Sequence, residues 1–341
     1  LKTIILNKPG EFEFLTQSMP SSPGPDEALI QIKKIGICGT DYHAFKGNQP
    51  FFQYPRVLGH EIGAQIVEIG PESNVSQLEV GDRVSLEPYV NCQQCQACRS
   101  GYINCCENIQ VLGVHADGGM SEFMKVPLRK LHKSDHLSFE QLALVETLAI
   151  GLHAVNRGNI KVQDLVLIIG AGPIGLSVAQ FAKESGAFVI VADQSQSRLD
   201  FIAEHGLSDS QILVDEPLTA ERLRASFSGH LPDIVLDATG NKASMLNCFN
   251  LPAHGGRLVF VGLFQGEVLF NDPNFHKREL TLMASRNALP SDFKKIIKLI
   301  EEGVVDTNPW ISHRTEFQDL PTIFPTLLQP GQAVIKAIIN V

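Results

Sequence analysis

The first ninety or so residues alternate apolar and polar positions over short runs. ALIQIKKI (28–35), IGAQIVEI (62–69) and DRVSL (82–86) each read as a strand with one buried face, and Gly and Pro mark the turns between them. Strand-like patterning returns at VLGVHADGG (111–119) and SEFMKV (121–126). From Phe139 the period lengthens to that of a helix, and QLALVETLAIGLHAV carries a single acid, Glu146, in an otherwise apolar run. The texture changes again at Asp164. LVLII (165–169) is continuously apolar, as in a strand covered on both faces, and it runs into glycines and then a helix. Strands at 188–192, 212–214, 233–237 and 257–261 then alternate with helices, which predicts a parallel, doubly wound sheet. A helix over 290–302 and an apolar strand over 333–340 close the chain. The expected fold class is α/β, with a small β-rich domain carrying chemistry on its loops and a Rossmann-type domain.

Composition narrows the function classes. Of 341 residues, 44% are hydrophobic and 19% charged, ordinary for a globular protein of about two domains. The net charge of −9, with no basic block, argues against nucleic acid or an anionic membrane as partner. No apolar run approaches the ~20 residues that span a bilayer, and the apolar run in LKTIILNKPGEF is too short for a signal peptide. Of seven cysteines, five crowd between Cys92 and Cys106, which favours a metal site in a reducing cytoplasm over a disulfide framework.

The candidate chemistry lies in three places. GICGTDYHAFKGNQPFFQYPRVLGHE (36–61) begins near Cys38 and ends on His60 and Glu61; thiolate, imidazole and carboxylate suit a catalytic Zn²⁺ that keeps a position open. A buried free cysteine beside a core histidine is the blander account of the same residues. Glu146, a carboxylate in an apolar helix, needs a partner, and a metal or water at the helix end would each serve. Cys92, Cys95, Cys98 and Cys106 can close a tetrahedron around a second, structural zinc, with Cys105 competing for the last place. Gly170, Gly172 and Gly175, with Pro173 and Ile174 between them, sit between a buried strand and a helix, where a pyrophosphate can approach the backbone. Asp193 ends the next strand, where an acid accepts from ribose hydroxyls and repels a 2′-phosphate, so NAD is favoured over NADP. Arg198, nearby, either lies on a helix surface or leaves room for that phosphate.

Together these motifs resemble the zinc-containing medium-chain dehydrogenases, the alcohol and polyol dehydrogenase family, along essentially the whole chain. The resemblance rests on GICGTDYH, GHE, the four-cysteine lobe, the glycine fingerprint and DATG. It implies a GroES-like catalytic domain over 1–150, with a structural-zinc lobe at about 88–110, an NAD-binding Rossmann domain over 151–284, and a return to the catalytic domain over 285–341. By resemblance, Cys38, His60 and Glu146 hold the catalytic metal with Glu61 beside them, and either carboxylate can be the one that touches it. Thr40 and His43 would relay the alcohol proton, Asp41 would orient the ligand histidine, and Lys336 would meet the cofactor pyrophosphate. Glu146 stands where the ethanol-oxidising members carry a second cysteine and agrees with the sorbitol dehydrogenase branch.

The function implied is NAD⁺-linked oxidation of a secondary hydroxyl, with two zinc ions per chain and a small polyol or sugar acid as substrate. L-galactonate heads the candidate sugar acids, and Arg286 is the candidate grip for the carboxylate, since guanidinium binds carboxylate in a two-pronged fork. The alternatives are a general polyol dehydrogenase of the sorbitol or threonine type, a zinc-free reductase of the same fold, and a non-enzymatic dinucleotide sensor. A homodimer or homotetramer is the family-level expectation.

Overall fold

The computed structural model describes residues 1–50, 52–71, 77–329 and 331–341. The chain divides into two compact units, Leu1–Thr147 with Ala288–Val341, and Leu148–Asn287. The helix Phe139–Gly158 spans the change from the first unit to the second.

In the first unit, a mixed sheet carries the strands in the order Ile311–Glu316, Lys336–Asn340, Glu27–Gly36, Glu61–Ile69, Arg83–Leu86 and Leu131–Lys133. Ile30, Ile32, Ile35, Ile62, Ala64 and Ile66 from its central strands are buried and form much of the core, so the alternation seen in the sequence points one face inward. The last strand of the chain lies beside Glu27–Gly36, pairing Ile338 with Gly36, and Gly36 in turn opposes Glu61. Residues from opposite ends of the sequence thus meet at one end of three adjacent strands.

At Gly63 of the Glu61–Ile69 strand, a Cβ would fall 2.0 Å from the Phe139 carbonyl oxygen. Glycine there lets the start of the Phe139–Gly158 helix lie directly on the sheet. Leu142 through Ala149 are all buried, which places the polar residues Glu146 and Thr147 inside the unit.

The expected strand over 111–119 shrinks to Gln110–Val111. The rest is a tight loop that lines up with residues 57–59: Gly118 N donates to Val57 O, Gly119 N to Gly59 O and Met120 N to Leu58 O, each at 2.8 Å. A Cβ on Gly118 would come within 2.3 Å of Gly59 O, so apolar alternation lost here to a close backbone approach that alternation cannot encode.

In the second unit, six strands run in the order Ser210–Leu213, Phe188–Asp193, Leu165–Ile169, Ile234–Asp237, Arg257–Phe260 and Thr281–Ala284, with every pairing parallel. The order reverses at Leu165–Ile169, which is where a doubly wound sheet opens a crevice at its carboxyl edge.

Candidate functional site

The helix Gly39–Phe45 begins at Cys38, and Asp41 Oδ2 accepts a hydrogen bond from the Cys38 backbone N–H at 2.8 Å. Asp41 and Ala44, one turn apart, face the core; Thr40 and His43, also one turn apart, share the opposite, more open side. Gly59, with φ +91°, makes the bend that delivers His60, a conformation other residues rarely adopt.

Ligand atoms of Cys38, His60 and Glu61 all lie within 4.8 Å of one another. Asp41 Oδ1 stands 3.8 Å from His60 Nδ1, beyond hydrogen-bond length, and both atoms are buried without a partner among the described residues. Burial lowers the basicity of His60, but the Cys38 side chain and Asp41 outweigh it and hold the imidazole well above its usual range. Burial raises the Asp41 carboxyl. Sulfur, imidazole and carboxylate gathered this closely are donors that Zn²⁺ takes.

The two acids differ in their partners. Opposite Glu61, a Cβ on Gly36 would lie 2.1 Å from Oε2, so glycine makes room for the carboxylate. Lys336 Nζ donates to Glu61 Oε1 at 2.6 Å and Oε2 at 2.8 Å, to Thr147 Oγ1 at 3.0 Å and to Ile37 O at 3.3 Å. Burial opposes the Glu61 charge, yet Lys336 and His60 overcome it and keep the carboxyl below its ordinary range. Burial likewise opposes the Lys336 charge, and Glu61 with Cys38 raises its pKa in spite of it. Glu146 instead accepts a hydrogen bond from the phenol of Tyr89, and burial, with the Glu61 charge adding to it, raises its carboxyl.

The second cluster is Cys92, Cys95, Cys98 and Cys106, whose sulfurs also lie within 4.8 Å of one another. Cys95 and Cys106 sulfurs are 3.9 Å apart, against about 3.8 Å for thiolates tetrahedral around zinc with ~2.3 Å bonds. Backbone N–H groups of Cys92 and Cys98 donate to Cys106 and Cys95 sulfurs at 3.2 and 3.5 Å. Cys105 is exposed and stands outside the cluster.

In the second unit, Gly170 has φ +99° and a Cβ on Gly175 would lie 1.7 Å from Gly170 O, so both glycines permit the close packing of strand and helix. A Cβ on Gly172, at the start of the Pro173–Glu184 helix, would meet nothing within 4 Å, leaving open backbone where a pyrophosphate can approach. Asp193 Oδ2 accepts from Ala171 N at 2.6 Å and Oδ1 from Ser195 N at 2.7 Å, tying the acid to the glycine loop. Arg198 Nη1 is 3.9 Å from Asp193 Oδ2.

Comparison with known proteins agrees with this geometry. Residues 24–136 match the alcohol dehydrogenase GroES-like domain and 173–302 the zinc-binding dehydrogenase family. The chain is 46% identical to L-galactonate-5-dehydrogenase of Escherichia coli K12, over 100% of this chain and 99% of the relative. It belongs to the zinc-type medium-chain dehydrogenases. An alcohol dehydrogenase of Escherichia coli CFT073 complexed with NADH superposes with TM-score 0.92 at 28% identity, covering 100% of this chain and 99% of that one. A zinc-binding dehydrogenase of Sinorhizobium meliloti bound to NADP gives TM-score 0.88 at 28% identity, covering 100% and 99%.

As a member of this dehydrogenase family, the protein is an enzyme acting on a small alcohol or polyol. Among the described residues, no helix is long and apolar enough to cross a membrane. Two placements bear on the expectations drawn from the sequence. Lys336, expected at the cofactor pyrophosphate, is 1% exposed and has its ammonium enclosed by Glu61, Thr147 and Ile37 O, where it partners a buried carboxylate. Arg286, expected in the returning segment, falls in the second unit, where it is exposed and the unit ends at Asn287. Tyr89 and Thr147 were not foreseen; a tyrosine three residues before a metal-lobe cysteine carries no local signal of a contact with a helix far along the chain.

Proposed function

We propose that this dehydrogenase oxidises a secondary hydroxyl of a sugar acid, L-galactonate or a close aldonate, to the keto acid, using NAD⁺ and a catalytic zinc. The observation that carries the reading is full-length likeness to L-galactonate-5-dehydrogenase together with the Cys38–His60–Glu61 set, whose ligand atoms lie within 4.8 Å of one another. Zinc supplies Lewis acidity that makes an alcohol easier to deprotonate, and the nicotinamide supplies the hydride acceptor. Cys38 and His60 would hold the metal with a carboxylate, and Asp41, which pins the Cys38 backbone, would orient His60 by closing the 3.8 Å gap to its Nδ1. Thr40 takes the hydroxyl proton and His43, on the same helix face and open to solvent, passes it out.

Glu61 shares the 4.8 Å group with Cys38 and His60 and Glu146 stands outside it, yet the partners of the two acids favour Glu146 as the carboxylate that serves the metal. Lys336 already pairs with both oxygens of Glu61, whereas the hydrogen-bond partner of Glu146 is a neutral phenol. A thiolate and an ionised Glu146 would together balance Zn²⁺, and such a neutral site would suit a substrate that brings a second oxygen. A second zinc is held by the four cysteines.

Gly172 at the helix start would receive the pyrophosphate, and Asp193 the adenosine ribose, favouring NAD⁺. The polar partners are small molecules, and a second copy of the chain is the macromolecular one. The edge strand Thr281–Ala284 and the exposed Leu263, Leu269, Phe270 and Leu282 support a homodimer or a tetramer built from it.

The test is NAD⁺ reduction over a panel of aldonates, matching polyols and simple alcohols. Highest kcat/KM on an aldonate supports the reading; turnover of polyols alone would replace it with a general polyol dehydrogenase.

A further inference from the structure

The phenol of Tyr89 is the hydrogen-bond donor to Glu146, and it is mounted on the four-cysteine lobe. Tyr89 is 3% exposed and lies in the two-residue strand Tyr89–Val90, paired antiparallel with Gln110–Val111. All four clustered cysteines fall in the loop between those strands, so the sulfur cluster closes the loop whose base carries Tyr89. The ring is further fixed by its surroundings. It meets Phe293 edge-on at 6.3 Å, Phe293 stacks on His132 at 4.9 Å, and His132 Nε2 lies 3.0 Å from Glu87. Lys130 also donates to Glu87, and Glu87, Lys130 and His132 are all buried. A buried network with its groups paired is rigid, and the phenol it supports has little freedom to leave Glu146.

Resting on the function proposed above, we propose that Tyr89 is a positioning residue of the catalytic metal centre. It takes one oxygen of Glu146 and leaves the other to be offered to the cation, and the cysteine lobe is the mount that keeps it there. The contrast with Glu61 supports this division: a lysine grips both oxygens of Glu61, whereas a neutral hydroxyl grips one oxygen of Glu146. A hydrogen bond to a metal-binding carboxylate fixes its rotamer, and loss of such partners costs roughly 10–100-fold in metal affinity.

The experiment uses full-length protein loaded with zinc, Tyr89→Phe, which keeps the ring, and Glu146→Gln. Zinc release to a chromogenic chelator and the visible spectrum after cobalt(II) exchange into the labile site are both read without substrate. In Tyr89→Phe, one metal equivalent should leave about 10–100-fold faster and the cobalt spectrum should shift, while the four-thiolate equivalent stays. Tyr89→Phe/Glu146→Gln should release its metal at the rate of Glu146→Gln alone, because the hydroxyl acts through that carboxylate. Unchanged release in Tyr89→Phe, additive effects in the double variant, or a cobalt spectrum unmoved by Glu146→Gln would each overturn the proposal. A wild-type chain with no labile metal equivalent would instead overturn the functional reading itself.

Discussion

Lys336 and Glu61, 275 residues apart in the chain, form a buried ion pair in which the ammonium reaches both carboxylate oxygens, at 2.6 and 2.8 Å. The pair joins the last strand of the protein to the strand that starts at the candidate metal centre. Each partner is 1% exposed, so neither charge has water to fall back on.

Removing one partner should therefore be costly. Lys336→Met leaves a buried carboxylate unpaired and should lower unfolding free energy by about 3–5 kcal/mol, read from urea denaturation. Lys336→Met/Glu61→Gln should recover much of that loss. A single variant as stable as wild type would show that the pair is not what holds these strands.

Metal content should be two zinc ions per chain with different lability. A closed four-thiolate site exchanges slowly, whereas an open site with an oxygen ligand should yield first to a chelator. Elemental analysis during dialysis against a mild chelator separates the classes. Loss of both equivalents in one step, together with folding, would contradict the assignment.

Cofactor preference should follow Asp193. Asp193→Gly should raise KM for NAD⁺ and narrow the gap to NADP⁺. Because the same carboxylate also accepts from Ala171 N, the informative quantity is the ratio of kcat/KM for the two cofactors, not either value alone. A wild-type enzyme preferring NADP⁺ would defeat the prediction.

Arg286→Ala should weaken turnover of aldonates far more than that of the matching uncharged polyols if the guanidinium grips the substrate carboxylate. Steady-state kinetics on paired substrates checks this. Equal loss on both would assign Arg286 a structural role in the second unit.

Acid stability carries a smaller signature. Arg314 donates Nε and Nη2 to the two oxygens of Glu140, each at 2.9 Å, and these hydrogen bonds hold the Glu140 carboxyl below its ordinary value. A carboxyl depressed in the folded state stabilises above the unfolded pKa of about 4.3, and that stabilisation is lost as pH falls through the lower folded pKa. Arg314 is 51% exposed, so solvent screening keeps the effect to about 1 kcal/mol or less. Arg314→Met should be slightly less stable than wild type at neutral pH, and the two should converge below about pH 4. A difference that grows on acidification would reverse the sign argued here.

Much of the fold was legible along the chain because each strand or helix carries its own period. LVLII is the strand Leu165–Ile169, and the helix foreseen over 290–302 is Pro290–Glu301. The glycine fingerprint was readable for a similar reason: its strand, turn and helix are consecutive, and the acid that joins them, Asp193, ends the next strand. The clustered cysteines were readable because closely spaced ligands close a small loop.

The sequence by itself determined which residue types are available to bind a metal and a dinucleotide, since these follow from local spacing. What only the tertiary structure decided is how the two carboxylates near His60 differ. Gly36 leaves the space for Glu61, the last strand brings Lys336 to it, and the strand beside the cysteine lobe brings Tyr89 to Glu146. None of these pairings has a sequence period, because a buried charge takes its partner from whatever strand the sheet order places beside it. The partner sets the charge each acid keeps, and so the chemistry it can do.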